Sequence, residues 1–495
     1  MRALKINAND NVAVALDNIT KGETLTFGSS SIVALEDIAK GHKIALGDIK
    51  KGENVIKYGF PIGHATCDIK AGEWVHFHNL KTNLGEILEY EYNPQQMNLT
   101  SVQCDKTFNG YRRKSGKVGV RNEIWIIPTV SCVNRNAELI AWKAREEFKG
   151  ERGIDGIYEF KHPYGCSQLG SDQLNTQKIL ANLVNHPNAG GVLVLGLGCE
   201  NNNIEEFKKA LGDYDPERVK FLVAQEVEDE IEAGVKLIGE LVEYASQFKR
   251  EECPISELVI GLKCGGSDGF SGITANPLVG AFSDKLIAYG GTTILTEVPE
   301  MFGAETILMN RAKNREVFEK IVKLINDFKE YFIGYNQPIY ENPSPGNKKG
   351  GITTLEEKSL GCIQKGGTSQ VVDVLEYGDT VKAKGLNLLS SPGNDMVAST
   401  VLAAAGCQII LFTTGRGTPL GTAVPTVKIA TNSEIFNKKP HWMDFDAGRL
   451  LSGETMEKLV GELLGYVIKV ASGMPTKSEI MGFREIAIFK NGVTL

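Results

Sequence analysis

Long hydrophobic runs are scarce in this 495-residue chain. Its longest apolar stretch, residues 401–412, falls short of the roughly 18 residues that suggest a membrane span, so no membrane partner is expected. The apolar stretch 12–16 is likewise too small for a signal-peptide core, and the cytoplasm is the expected location. Nine cysteines without a C-x-x-C pair make neither a disulfide scaffold nor a zinc ribbon, and reduced thiols follow. A surplus of positive charge is also missing, since 54 Lys and Arg face 61 Asp and Glu for a net charge of −7. That argues against a nucleic-acid surface, which needs concentrated Lys and Arg. It leaves room for a small anionic substrate. No Walker A or H-E-x-x-H motif occurs, and neither Gly196-Leu197-Gly198 nor Gly415-Arg416-Gly417 extends into a full dinucleotide fingerprint.

Glycine is plentiful, with 54 residues, about one and a half times average usage. Part of it belongs to a repeat. Ile19-Thr20-Lys21-Gly22-Glu23 recurs as Ile38-Ala39-Lys40-Gly41-His42, Ile49-Lys50-Lys51-Gly52-Glu53 and Ile69-Lys70-Ala71-Gly72-Glu73. An apolar residue, a polar turn with Gly fourth and a return to apolar residues describe short strands joined by tight turns. Residues 1–80 therefore read as a small β-rich domain and 81–117 as a linker.

From residue 118 the pattern becomes strand, polar loop, helix, repeatedly. Strands are expected near 125–130, 156–160, 191–197, 258–262, 293–295, 386–389 and 409–412, with helices over 137–148, 171–184 and 204–211. This alternation predicts parallel sheets covered on both faces, divided into a middle α/β domain (118–250) and a C-terminal one (251–495). Such sheets bind ligands beyond the carboxyl ends of their strands.

Four cysteines, Cys132, Cys166, Cys199 and Cys264, each follow a strand. A single one would be a small buried hydrophobe, but four equivalent placements point to metal ligands, together with Asp268. Thiolates suit iron, zinc or an iron–sulfur cluster. His42 stands where the other repeat copies carry Glu, which marks it as a candidate for proton transfer against the ordinary alternative of a solvated turn residue. Alternation puts His76 and His78 on one strand face, as binding requires; two exposed edge histidines are the plainer alternative. Arg416 is placed like a carboxylate clamp, with a solvated loop arginine as the plainer alternative, and Asn394 in the loop 391–395 is a further candidate substrate contact. Glu297 and Glu300 are candidate acids or bases.

Several strings resemble the altronate/galactarate dehydratase family. They include Gly41-His42-Lys43, His76-Phe77-His78-Asn79, Gly119-Val120-Arg121-Asn122-Glu123, Tyr164-Gly165-Cys166-Ser167, Gly198-Cys199-Glu200-Asn201-Asn202, Cys264-Gly265-Gly266-Ser267-Asp268-Gly269, Glu297-Val298-Pro299-Glu300 and Thr414-Gly415-Arg416-Gly417. The resemblance runs along essentially the whole chain; Ser131 departs from it, standing where Gly is expected. It implies an N-terminal SAF-type β-clip, α/β domains ending in a Rossmann-like one, a divalent metal (iron(II) or manganese) and a homodimer. The implied reaction is loss of water from D-altronate to give 2-keto-3-deoxy-D-gluconate in hexuronate catabolism. Galactarate or a sulfonated hydroxy acid is the alternative substrate, and a non-catalytic sugar-acid-binding protein is the rival reading.

Overall fold

The four repeat glycines, Gly22, Gly41, Gly52 and Gly72, all have φ between +84° and +91°, a region that costs a side chain strain. A computed structural model describes residues 2–28, 30–85, 87–95, 101–150 and 153–495. In it the repeat turns are paired, Ile19 bridging Ile38 and Ile49 bridging Ile69. Glu23, Glu53 and Glu73 close their own turns by accepting the backbone N–H of Thr20, Lys50 and Lys70 at 3.2, 2.8 and 2.9 Å. The second copy has His42 at that place, and its ring turns into the protein instead. The flanking segments form an antiparallel sheet ordered Ala3–Leu4, Val12–Ala15, Lys43–Ala45, Trp74–Val75, and a second of Asn54–Lys57, Phe60–Ala65 and Leu80–Lys81.

The segment expected to be a linker ends in a strand, Thr107–Arg112, which pairs with Val118–Gly119 and with the distant Glu251–Pro254. Before it, the chain lies along the C-terminal domain: Tyr90 bonds Glu305, Gln95 N–H donates to Asn310 C=O, and Val102 N–H to Ala288 C=O.

The middle domain is a four-stranded parallel sheet ordered Gly156–Glu159, Glu123–Pro128, Ala189–Gly196, Val219–Val223. Helices Asn134–Glu147 and Glu230–Ala245 cover the face carrying Ile124 and Ile126, while Gly170–Val184 and Ile204–Leu211 cover the face carrying Trp125 and Ile127. Both faces being buried explains why Glu123–Pro128 reads as a near-continuous apolar run.

The C-terminal domain holds seven parallel strands ordered Val371–Leu375, Gly385–Leu389, Thr292–Leu295, Val259–Cys264, Ile409–Thr414, Thr426–Ala430, Phe445–Asp446. The first strand in sequence, Val259–Cys264, is central, and later strands add on both sides of it. Its carboxyl end is therefore where an open α/β sheet offers its ligand crevice. Four strands of the two α/β sheets, Val219–Val223, Val371–Leu375, Thr426–Ala430 and Phe445–Asp446, were not expected.

The β-rich domain docks on the C-terminal domain through a buried ion triple. Lys43 and Lys57 each reach Glu357 at 2.8 Å, and all three side chains are almost fully buried. No described helix is long and apolar enough to cross a membrane.

Candidate active site

Cys264 ends the central strand, buried, and the chain turns away through Gly265 and Gly266. Its Sγ accepts a hydrogen bond from Cys362 at 3.9 Å and meets Ser267 Oγ at 2.8 Å. Glu300, from the turn after Thr292–Leu295, completes a group in which one ligand atom each of Cys264, Glu300 and Cys362 lies within 4.8 Å of the others. It is the sole such group among the described residues. Glu300 is ion-paired with Lys358 at 2.7 Å, yet its Oε2 is buried with no hydrogen-bond partner. A buried carboxylate oxygen left unmatched costs free energy, and a cation would remove that cost.

Three lysines surround the group. Lys263 reaches Asp395 at 2.8 Å and also pairs with Glu297, while Lys365 lies 3.9 Å from Glu297. Burial raises the Glu300 carboxyl, but Lys358, Lys365 and Lys263 outweigh it and hold Glu300 down to about 2. The bond from Cys362 stabilises the Cys264 thiolate and lowers its pKa well below the usual thiol range, while Cys362 is raised in turn. Burial, then the nearby Glu300, pushes Glu297 up to about 8. Glu297 has φ +70°, strain of a kind that persists where surroundings over-determine a residue. It accepts the Cys264 N–H at 2.9 Å from behind the strand end.

Cys264, Glu300, Lys358, Asn394 and Asp395 line one cavity of about 640 Å³, within the range of small-molecule sites. A second cavity of about 350 Å³ between the two α/β domains is lined by Val118, His186, Val259 and Gln408. His186 and Gln408 are satisfied there by backbone partners, and Glu257, Lys117, Lys382 and Lys384 also line it.

Two donors are soft sulfurs and the third is a carboxylate. That set fits iron(II) better than manganese, which favours all-oxygen surroundings.

The expected site residues are thus only partly gathered. Cys264 and Glu300 come together, Glu297 stands behind them, and Asn394 lines the cavity while its Oδ1 caps the helix Asp395–Ala404. Cys132, Cys166 and Cys199 are exposed on the middle domain, outside the Cys264 group. Asp268 is also outside it: Thr431, Ser271, Asn432 and the Phe270 N–H all donate to its carboxylate. Arg416 is exposed beside a separate cavity of about 350 Å³, shared with Lys40, Lys349, Lys438 and Asp268.

His76 and His78 do not alternate along a strand, because the strand ends at Val75 and Asn79 Oδ1 closes a turn on the His76 N–H at 2.9 Å. Both rings rest on Trp74. His76 is buried and bonded to Thr353 at 2.7 Å, whereas His78 is exposed. His42 contacts Trp74 and the Lys349 carbonyl.

Cys362 and Lys358 were missed in the sequence. They lie on the helix Leu355–Cys362, whose eight residues are all buried although Glu356-Glu357-Lys358 reads as a solvated face. A G-x-S-x-G motif was expected to be absent, yet residues 265–269 read Gly-Gly-Ser-Asp-Gly; Ser267 is buried against Cys264 and forms no exposed nucleophile elbow.

Residues 1–83, 110–246 and 255–494 match, in turn, the altronate/galactarate dehydratase SAF domain, the D-galactarate dehydratase/altronate hydrolase second domain and the D-galactarate/altronate dehydratase C-terminal domain. The chain is 60% identical to an altronate dehydratase of Bacillus subtilis (strain 168) over 99% of both chains. It is 56% identical to an altronate dehydratase of Escherichia coli (strain K12) over 100% of both. Galactarate dehydratase (L-threo-forming) of the same strain is 34% identical over 98% of this chain and 96% of its own.

Proposed function

The chain belongs to the altronate/galactarate dehydratase family, and on that premise we propose that it is a hydro-lyase converting D-altronate to 2-keto-3-deoxy-D-gluconate in the cavity lined by Cys264 and Glu300. The proposal is carried by the donor set at the end of the central strand, with the orphaned Oε2 of Glu300 beside two sulfurs. Cys264 Sγ, Cys362 Sγ and Glu300 would hold a divalent ion, iron(II) ahead of manganese(II). When bound, that ion supplies the positive charge against which the substrate's enediolate develops.

The protein's own groups do the rest. Glu300 keeps Lys358 protonated, and Asn342 and Asn347 hold its Nζ at 3.1 and 3.4 Å. Lys358 thus presents a fixed ammonium in the cavity wall, which binds the anionic substrate and gives a proton to the departing 3-hydroxyl. Asp395, anchored by Lys263, accepts the proton from C2. Glu297 orients the Cys264 backbone from behind. We also read the N-terminal unit as a β-clip and the large sheet as a Rossmann-like order with Val371–Leu375 added at its edge, in a cytoplasmic homodimer.

The test is turnover by metal-stripped protein reloaded anaerobically with Fe²⁺ or Mn²⁺ and offered D-altronate, galactarate and other sugar acids. We expect 2-keto-3-deoxy product from altronate, with iron the better metal. Product from galactarate alone would overturn the substrate assignment, and full turnover after exhaustive chelation the metal site.

A further inference from the structure

We propose that the middle domain carries a second metal centre, an iron–sulfur cluster held by Cys132, Cys166 and Cys199 with one iron left open to an oxygen ligand such as a hydroxy acid. This goes beyond the assignment of Cys264, Glu300 and Cys362 and does not depend on it.

The three thiols follow three adjacent parallel strands: Cys166 after Gly156–Glu159, Cys132 after Glu123–Pro128 and Cys199 after Ala189–Gly196. Neighbouring strands lie about 4.8 Å apart, so the roots of the three loops span only about 10 Å. The loops are also tied to one another. Ser131 N–H donates to Tyr164 C=O and Asn202 N–H to Gly165 C=O, each at 2.9 Å. Thr129 Oγ1 donates to Glu200 at 2.6 Å. Asn201 Oδ1 accepts from the Ser167 N–H at 2.9 Å and from Cys166 Sγ at 3.4 Å, so the Cys166 and Cys199 loops meet directly.

Two further observations point to a ligand. Cysteine is among the residue types most often buried, yet three of the four exposed cysteines stand on these three loops, Cys67 being the other. The same loops also hold unmatched polar atoms. Gln168 Nε2, Asn202 Oδ1 and Asn134 Oδ1 are buried without a hydrogen-bond partner, and the Gln168 and Asn202 residues are 3% and 0% exposed. Native structures leave few such groups. Three of them stand on the loops that carry the three thiols, where a bound group would match them. The Gln168 amide is a free donor of the kind that cluster sulfur accepts.

Size separates a cluster from a single ion. Thiolates on one tetrahedral ion, with bonds of about 2.3 Å, lie about 3.8 Å apart. Among the described residues only Cys264, Glu300 and Cys362 form a set within 4.8 Å, so the three exposed thiols stand wider than one ion requires. Soft thiolates at wider spacing suit a polynuclear iron centre.

Anaerobic reconstitution of the full chain with iron(II) and sulfide tests this, read as iron and acid-labile sulfide per chain together with the electron paramagnetic resonance spectrum. We expect about four sulfides per chain in the wild type. Cys132→Ser, Cys166→Ser and Cys199→Ser should each lose most of that sulfide while their cluster-free forms melt at the temperature of the cluster-free wild type, whereas Cys264→Ser and Cys67→Ser keep it. No labile sulfide in the wild type, or equal sulfide in the triple variant, overturns the inference. So does iron held without sulfide and lost with the three thiols, which is a single ion. Failure to dehydrate altronate with sulfide content intact would count against the Cys264 site alone.

Discussion

Trp74 donates its indole N–H to Nδ1 of His42 at 3.1 Å. An indole only donates, so Nδ1 carries the lone pair. In the neutral ring Nε2–H then faces the Lys349 carbonyl at 3.3 Å. Burial, reinforced by Lys43, lowers the pKa of this imidazole and keeps it neutral. Both nitrogens are thereby engaged in joining the second repeat turn to the C-terminal domain. We expect His42→Ala to cost about 1–3 kcal/mol by leaving these partners unmatched, and to leave the shape of the pH–rate profile unchanged. A 10²–10⁴-fold loss of rate together with a vanished limb would instead make the ring a proton-transfer group.

The ion triple sets an acid limit on the fold. Burial alone would raise the Glu357 carboxyl, but Lys43 and Lys57 prevail and hold it at about 2, against an ordinary 4.5. The folded protein thus binds this proton more weakly than the unfolded chain. Its contribution is complete above pH 4.5 and is lost as pH falls from there toward 2. Melting temperature measured across that window should fall more steeply in the wild type than in Glu357→Gln. At neutral pH the variant, with two lysines stranded, should be less stable by about 3–5 kcal/mol.

The repeat glycines offer a graded experiment, because their conformations are alike and their surroundings are not. A Cβ at Gly52 meets nothing within 4 Å, whereas at Gly72 it would lie 2.0 Å from the Val33 carbonyl oxygen. Gly52→Ala should therefore cost only the left-handed strain, about 1–2 kcal/mol. Gly72→Ala should exceed it clearly in denaturant unfolding, and equal costs would mean that the turn yields freely.

These turns were legible in the sequence because the feature that matters, a positive φ after a polar pair, is local. The strand ends were legible for a similar reason: apolar runs followed by Gly, Ser and Asn located Cys264 correctly. Thr107–Arg112 was not, since its partner Glu251–Pro254 lies far along the chain. The His76-x-His78 alternation failed because Asn79 ends the strand earlier than the apolar pattern suggests. Cys362 escaped because an acidic, lysine-bearing helix is buried only when other domains cover it.

Two buried cysteines of the C-terminal domain separate ligand from filler. Cys407 packs in the apolar core beneath Ile410 and Leu402, while Cys362 faces Cys264. In protein that also carries Cys132→Ser, Cys166→Ser and Cys199→Ser, Cys362→Ser should lower bound iron at least tenfold, measured by metal analysis after anaerobic loading. Cys407→Ser should leave iron unchanged. Equal iron in both variants would remove Cys362 from the metal site.

The β-rich domain is gripped by charges and by the His42 contact rather than by its tether, and the chain that follows it runs along the C-terminal domain on bonds of its own. Continuity of the peptide between the two is then a convenience of synthesis. Made as two polypeptides divided in that stretch, the halves should find each other and co-purify, so a gene for this enzyme could be split there without dismantling what it encodes.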